Sequence, residues 1–208
     1  MTDQASNTEL ERWNGRFAAE EFLFGTRPNA FLAAQGRRLR PGMRALCVAD
    51  GEGRNSVWLA AQGLEVTAFD FSPVGLAKAR TLAERCGVKV DYHLSEVSHW
   101  KWDAQQYDVV AAIFVQFASP PERQHMFEGM QRALKSGGLL IAQGYRPEQI
   151  EYATGGPGVL ENLYTAGILR TAFAGWEIEE LVEYEDEISE GRGHKGRSAL
   201  IGMVARKP

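Results

Sequence analysis

Nowhere in the 208 residues does an apolar run approach the ~20 residues that a bilayer-spanning helix needs. The first stretch, Met1 to Glu11, is polar and acidic, whereas a secretory leader is basic and then apolar. Both absences lead us to expect a cytoplasmic protein with no membrane partner. Cysteine is scarce too, and Cys47 and Cys86 show neither zinc spacing nor the pairing of a disulfide framework. The histidines, His93, His99, His125 and His194, are scattered without metal-ligand spacing, so no metal is expected. There is no excess of positive charge: 23 Lys and Arg against 27 Asp and Glu leave a net charge of −4, which offers nucleic acid no attractive field. No repeat, low-complexity stretch or long linker divides the chain. The rest is ordinary, 44% hydrophobic and 24% charged, and fits one globular domain over 1–208 whose partner is a small molecule. Oligomeric state is not legible in it.

Against that plain background one run stands out. Arg44-Ala45-Leu46-Cys47-Val48-Ala49 reads as a buried strand that breaks into Asp50-Gly51-Glu52-Gly53 and then into a helix. Gly51 and Gly53 admit positive φ and close approach of a ligand, and the following helix offers its unpaired N–H groups. A second apolar run, Leu64 to Phe69, ends in Asp70-Phe71-Ser72, and 70 − 51 = 19 places the carboxylate near the ~20-residue offset of a ribose ligand. Asp70 is equally suited to stand beside the cap of the next helix. A dinucleotide fingerprint wants a third glycine where Ser56 stands, and none of the six tyrosines has a lysine four residues on. Hydride-transfer machinery is therefore missing.

Strands are expected at 44–49, 65–70, 88–93, 107–114 and 138–144, with helices at 54–62, 73–86 and 120–134 in the crossovers. Before them Leu10 to Phe22 and Asn29 to Arg38 read as helices, and Pro41-Gly42 closes that section. A helix at about 159–173 leads to two strand-like runs, Trp176 to Glu185 and Ser198 to Arg206, joined by a glycine-rich turn as an antiparallel pair. The expected fold is α/β, a doubly wound and mostly parallel seven-stranded sheet over 41–208, with 1–40 as an N-terminal helical lid.

In order along the chain, Gly51-Glu52-Gly53-Arg54-Asn55, Val66-Thr67-Ala68-Phe69-Asp70-Phe71-Ser72, Tyr107-Asp108-Val109-Val110 and Leu134-Lys135-Ser136-Gly137-Gly138-Leu139-Leu140 resemble the motifs of the class I S-adenosylmethionine (SAM)-dependent methyltransferases, whose core is Rossmann-like. The resemblance implies SAM as cofactor and S-adenosylhomocysteine as product. It places Ala49, Asp50, Gly51, Gly53, Arg54 and Asn55 in the cofactor loop, Asp70, Phe71 and Ser72 at the ribose, Glu96 and Val97 near the adenine, and Phe114 beyond the fourth strand. Two positions depart from the family pattern, which has an acid where Cys47 stands and a glycine where Ala49 stands. Asp50 either supplies the missing carboxylate for the SAM amino group or points to solvent.

In open α/β sheets ligands bind outside the carboxyl ends of the strands, which nominates Phe114 to Phe117, Gly144 to Arg146, the Gly155 loop and the turn from Glu190 to Gly196. Trp13, Phe17, Phe22 and Phe24 with Gly25 form an aromatic stretch suited either to cover the site or to cover the sheet. Those segments together resemble the tellurite-resistance and thiopurine type of small-molecule methyltransferase. Its acceptor is expected to be a thiol or a tellurium or selenium oxyanion. His194 is the candidate base, oriented by Glu190; Tyr145 is a further catalytic candidate or a packed ring with a wet hydroxyl, Phe24 and Gln116 meet the substrate, and Arg146 binds the acceptor's negative charge or stays solvated. Arg192, Lys195 and Arg197 crowd the same turn, and on the sequence alone they either favour an anionic acceptor or make a solvated basic loop. The competing readings are a SAM-binding sensor without turnover and a nucleotide-dependent oxidoreductase.

Overall fold

The computed structural model describes residues 3–208. Its helices are α1 (Asp3–Phe17), α2 (Ala30–Ala34), α3 (Arg54–Ala61), α4 (Pro73–Cys86), α5 (Pro120–Ala133), α6 (Gln149–Tyr152) and α7 (Ala166–Ala172). Its strands are β1 (Arg44–Val48), β2 (Glu65–Asp70), β3 (Val90–Leu94), β4 (Tyr107–Ile113), β5 (Leu134–Tyr145), β6 (Glu177–Glu190) and β7 (His194–Arg206). They form one seven-stranded sheet in the order β3-β2-β1-β4-β5-β7-β6. The first five strands run parallel, and β7 inserts antiparallel between β5 and β6. This is the expected doubly wound architecture with its C-terminal antiparallel pair.

The strand order reverses between β1 and β4, and in open sheets the crevice for a ligand opens there. Alternation along β1 splits the core in two. Leu46 and Val48 join one face with Phe69, Met126 and Phe127, while Ala45 and Cys47 join the other with Phe31, Leu32 and Leu59. The helix starts follow local chemistry. Ser72 accepts from Gly75 N ahead of Pro73 in α4, and Ser119 and Glu122 make a reciprocal capping box ahead of α5.

The edges of the chain differ from the expected pattern. The polar opening residues are helical from Asp3, and that helix stops at Phe17 instead of running on to Phe22. The segment expected as one helix from Asn29 to Arg38 is a five-residue turn of α2 followed by a 3-10 turn at Gly36–Arg38. The region 159–173 likewise breaks into a 3-10 turn at Leu160–Asn162 and the short α7. The terminal hairpin is longer than expected, its connection reduced to residues 191–193. Among the described residues no helix is long and apolar enough to cross a membrane.

Candidate active site

Phe17, the last residue of α1, seats its ring over Gly51, where a Cβ would fall 3.4 Å from Phe17 Cζ, so the glycine surface of the loop carries an aromatic cover. The chain then turns back at Gly25 (φ 70°), and its passage is clamped from below. Glu52 Oε2 accepts from Leu23 N at 2.7 Å, and its other oxygen pairs with Lys78 Nζ at 2.6 Å. That ammonium also donates to the carbonyls of Ala19 (2.8 Å) and Glu21 (2.7 Å). From the far side Gly193 N donates to Leu23 O at 2.9 Å. A side chain at Gly193 would overlap the Phe24 ring.

Between this segment and the carboxyl ends of β1, β2 and β4 lies a cavity of about 510 Å³. It is lined by Trp13, Phe17 and Phe24 from the N-terminal segment, by Ala49, Asp50, Gly51, Arg54 and Asn55 from the loop after β1, and by Asp70 and Phe71 after β2. Glu96, Val97, Phe114, Phe117 and His194 complete most of the remaining wall. Most of the residues singled out in the sequence thus share one cavity. Gly53 stands just behind it with φ 90°, and a Cβ there would meet Ala79 Cβ at 2.7 Å, which fixes how closely α3 and α4 approach. Ser72, also outside the lining, is the cap of α4 and hydrogen-bonds Asn14 at 2.6 Å.

The two aspartates at the floor do different things. Asp70 accepts from Gly51 N (2.9 Å) and Ser72 N (2.8 Å). It remains one wall of the cavity. Burial pushes its carboxyl up to about 6, against the pull of those N–H donors. Asp50 turns to the start of α3, where Ser56 donates to it through both Oγ and N, the latter at 3.3 Å. Burial raises its carboxyl to about 6 as well, with the neighbouring Asp70 adding to the rise. Asp50 is therefore committed to Ser56 in the first turn of α3 while it also lines the cavity. Cys47 is buried, and burial raises its thiol well above the ordinary range, so it offers no negative charge in place of the usual acid. Ala49 holds the positive φ (48°) that explains a glycine at this position in related loops.

His194 is the first residue of β7 and is 7% exposed. Its ring lies between Phe24 and Phe114, with centroids 4.3 Å from each. Burial lowers its pKa, so the imidazole is neutral at pH 7, with Arg54 and Arg16 pushing the same way and Glu190 opposing. Nδ1 lies 3.8 Å from Glu190 Oε2, too long for a hydrogen bond. Glu190 itself is held by Arg54 Nη1 (2.8 Å), Asn29 Nδ2 (3.0 Å) and Ala30 N (3.2 Å). Burial works against its charge, but the His194 imidazole, the Arg54 guanidinium and the Ala30 N–H outweigh it and hold the carboxyl down to about 2.

Other sequence candidates sit elsewhere. Gln116 is buried and clamps the backbone of Tyr145, accepting from Tyr145 N at 2.5 Å and donating to its carbonyl at 2.8 Å. Tyr145 lies beneath Gly155 and Gly156 with its ring against Phe114 (4.7 Å), and its buried hydroxyl has no protein partner. Arg146 pairs with Glu148 at 3.1 Å, away from the cavity. The basic turn was open on the sequence alone. Arg192 pairs with Glu21 at 3.5 Å, Arg197 with Glu185 at 2.5 Å, Lys195 is exposed, and none of the three lines the cavity. The solvated alternative for that turn is the one observed. Glu52 and Asn29 were missed by motif reading because their partners are backbone amides and side chains far along the chain. Among the described residues no group of three or more His, Cys, Asp or Glu is placed to hold a metal ion.

Residues 45–138 match the family described as a methyltransferase domain. An uncharacterized protein of Mycobacterium tuberculosis (strain ATCC 25618 / H37Rv) is 31% identical over 147 residues, which are 69% of this chain and 52% of the relative. A ubiquinone biosynthesis O-methyltransferase of Marinobacter nauticus is 30% identical over 131 residues, 61% of this chain and 55% of that protein. The chain spans about half the length of these curated relatives. Among solved structures, the N-methyltransferase NodS from Bradyrhizobium japonicum WM9, in complex with S-adenosylhomocysteine, superposes with a TM-score of 0.70 at 15% identity, covering 97% of each chain.

Proposed function

We propose that the methyltransferase domain matched over residues 45–138 works, within this chain, as a SAM-dependent methyltransferase acting on a small molecule in the cytoplasm. The observation that carries this reading is the single cavity joining Asp70 and the Gly51 loop to a neutral, buried His194. The donor set fits the cofactor. Asp70 keeps acceptor capacity beyond its backbone N–H partners for ribose hydroxyls, and Gly51 leaves room for close approach. Glu96 on the wall supplies a carboxylate for an exocyclic amine. When bound, SAM supplies a sulfonium methyl carbon open to in-line displacement. The protein's share is alignment, exclusion of water by Trp13, Phe17 and Phe24, and removal of a proton by His194 where the acceptor carries one.

Charge placement narrows the acceptor. Arg54 is the cation of the described lining, and it is already paired with Glu190, while Glu9, Glu96 and Glu122 contribute carboxylates to the same wall. An oxyanion of tellurium or selenium finds no uncommitted cation there, so a neutral thiol fits better. The cavity walled by Trp13, Phe17 and Phe24 and the net charge of −4 also support a small molecule over a nucleic acid. The free cysteines, Cys47 and Cys86, suit a reducing compartment.

Calorimetric titration with SAM, S-adenosylhomocysteine, NAD and NADP tests the cofactor. Binding of the SAM pair alone is expected, and NAD binding instead would overturn the reading. A panel of thiols, tellurite and selenite then tests the acceptor through S-adenosylhomocysteine release. Preference for tellurite would refute the thiol assignment, and SAM binding with no turnover on any acceptor would mark a sensor.

The Asp70 assignment makes its own prediction. Asp70→Ala weakens SAM binding by about 1.5–3 kcal/mol, the range for losing charge-assisted hydrogen bonds. A ribose hydroxyl donates to the ionised carboxylate, so with a carboxyl near 6 the wild-type affinity rises about tenfold between pH 5 and pH 7. The apo protein shows the opposite trend from this group. A carboxyl raised on folding favours the folded state below the unfolded value of 3.8, and that advantage is lost as pH climbs through about 6. An Asp70→Ala affinity equal to wild type, or one with unchanged pH dependence, would remove Asp70 from the ribose.

A further inference from the structure

A role for Arg54 at the acceptor end of the cavity rests on the reading of His194 as a base, which belongs to the proposed function. Glu190 Oε2 is shared between Arg54 Nη1 at 2.8 Å and His194 Nδ1 at 3.8 Å. Its other oxygen is taken by Asn29 Nδ2 and Ala30 N. Asn29 is fixed in turn, receiving through Oδ1 the Leu32 N–H of α2 at 3.0 Å and giving its own N–H to Asn55 Oδ1 at 3.0 Å. Arg54 opens α3, the helix that follows the glycine loop, yet its guanidinium is spent on the hairpin and the N-terminal segment. Besides Glu190 it reaches Phe24 O at 3.4 Å and lies 5.9 Å from the Phe24 ring, the same ring that packs on His194.

We propose that Arg54 is a positioning residue that acts through Glu190 on His194, and not a ligand of the cofactor. One buried ion pair then joins the cofactor loop to the acceptor base. Glu190 lies on the Nδ1 side of the imidazole at 3.8 Å, beyond hydrogen-bond reach, so it acts on the ring through its charge, and Nε2 is the nitrogen left for an acceptor. Arg54 shares the carboxylate charge, so less of it reaches the ring, and the imidazole stays neutral near pH 7. The groups facing His194 are few and identified. Glu190 is on its own hairpin, Arg54 on α3, Arg16 on α1 and the phenol of Tyr145 on β5, with the uncharged rings of Phe24 and Phe114 on either side. Among these, only the Arg54–Glu190 pair links the loop after β1 to the β6–β7 turn.

The test is NMR titration of the histidine imidazoles of the whole protein, the His194 signal being assigned by its loss in His194→Ala. In Arg54→Met the Glu190 charge is no longer shared, and the His194 pKa rises by about one unit. In Glu190→Gln it falls by about one unit, the opposite sign. Arg54→Lys keeps the charge and restores the wild-type titration to within a few tenths of a unit, roughly the size of a conservative change. Affinity of Arg54→Met for S-adenosylhomocysteine, read by calorimetry, stays within about threefold of wild type, less than the loss of one charge-assisted hydrogen bond. A His194 titration identical in wild type and Arg54→Met, or a more than tenfold loss of affinity with His194 unmoved, overturns the proposal and makes Arg54 a cofactor ligand. Should Arg54→Met not fold, Glu190→Gln decides, since an unmoved His194 there also overturns it. Failure of the base reading shows separately, as undiminished methyl transfer by His194→Ala. The imidazole titrations still report on the ion pair in that event.

Discussion

Replacing His194 by alanine lowers the turnover number for a protonated acceptor by about 10²–10⁴-fold, the range for losing a positioned proton acceptor. Affinity for S-adenosylhomocysteine changes little, because the ring sits between Phe24 and Phe114, apart from the Asp70 floor. The loss depends on the acceptor. A thiol already ionised at the assay pH needs no base, so the variant methylates it at nearly the wild-type rate, whereas a thiol ionising well above that pH shows the whole defect. The wild-type rate also falls on the acid side as the imidazole gains its proton, below the ordinary histidine range because burial lowers the pKa. The variant lacks that limb. Steady-state rates with two thiols of different acidity check all three statements. Equal losses for both would mean that His194 shapes the cavity without moving a proton.

Glu52→Ala has the largest effect on the fold. Glu52 is almost wholly buried, and its side chain binds Leu23 N at 2.7 Å, Phe24 N at 3.4 Å and Lys78 Nζ at 2.6 Å. Removing one partner of a buried pair leaves the other charge uncompensated and costs about 3–5 kcal/mol. Here the loss is concentrated in residues 18–24, which then open independently of the sheet. Urea denaturation is expected to show the reduced stability, and limited proteolysis an early cut between Phe17 and Gly25. Glu52→Gln keeps an acceptor for Leu23 N and falls between wild type and alanine. An alanine variant of wild-type stability with an uncut N-terminal segment would show that aromatic packing alone holds that segment down.

The parts of this molecule that were legible in the sequence are those where local pattern and buried context agree. The strand spans 65–70 and 107–114, the helix 73–86 and the order of alternation all follow from apolar runs bounded by cap residues, and β2 and α4 keep the expected bounds. The long hairpin was underestimated for a physical reason. Glu183, Glu185, Asp186, Glu187 and Glu190 lie on an edge strand largely open to water, so no apolar alternation marks it, and its pairing with β7 carries the strand instead. At the site, the glycines and Asp70 announce themselves because backbone conformation demands particular residue types. Gln116 and Arg146 were not decided by sequence, because a polar residue just beyond a strand reads the same whether it faces a ligand or, as observed, clamps Tyr145 or pairs with Glu148. Asn29 was legible as the start of a helix, which it caps, but the bond of Glu52 to Leu23, 29 residues away, was not, and neither was that of Asn29 to Glu190, 161 residues away.

That last separation has a consequence for synthesis. The carboxylate that receives the Asn29 amide is synthesised 161 residues after Asn29 itself. The same holds for Leu23, whose carbonyl waits for Gly193 N. While β1 to β5 assemble, Phe24 has neither Gly193 nor His194 of the hairpin to rest against, and closing loops of this length is slow. Until β6 and β7 are made, the nascent chain therefore carries Phe24 without its hairpin partner, which makes that segment the natural point of contact for a chaperone.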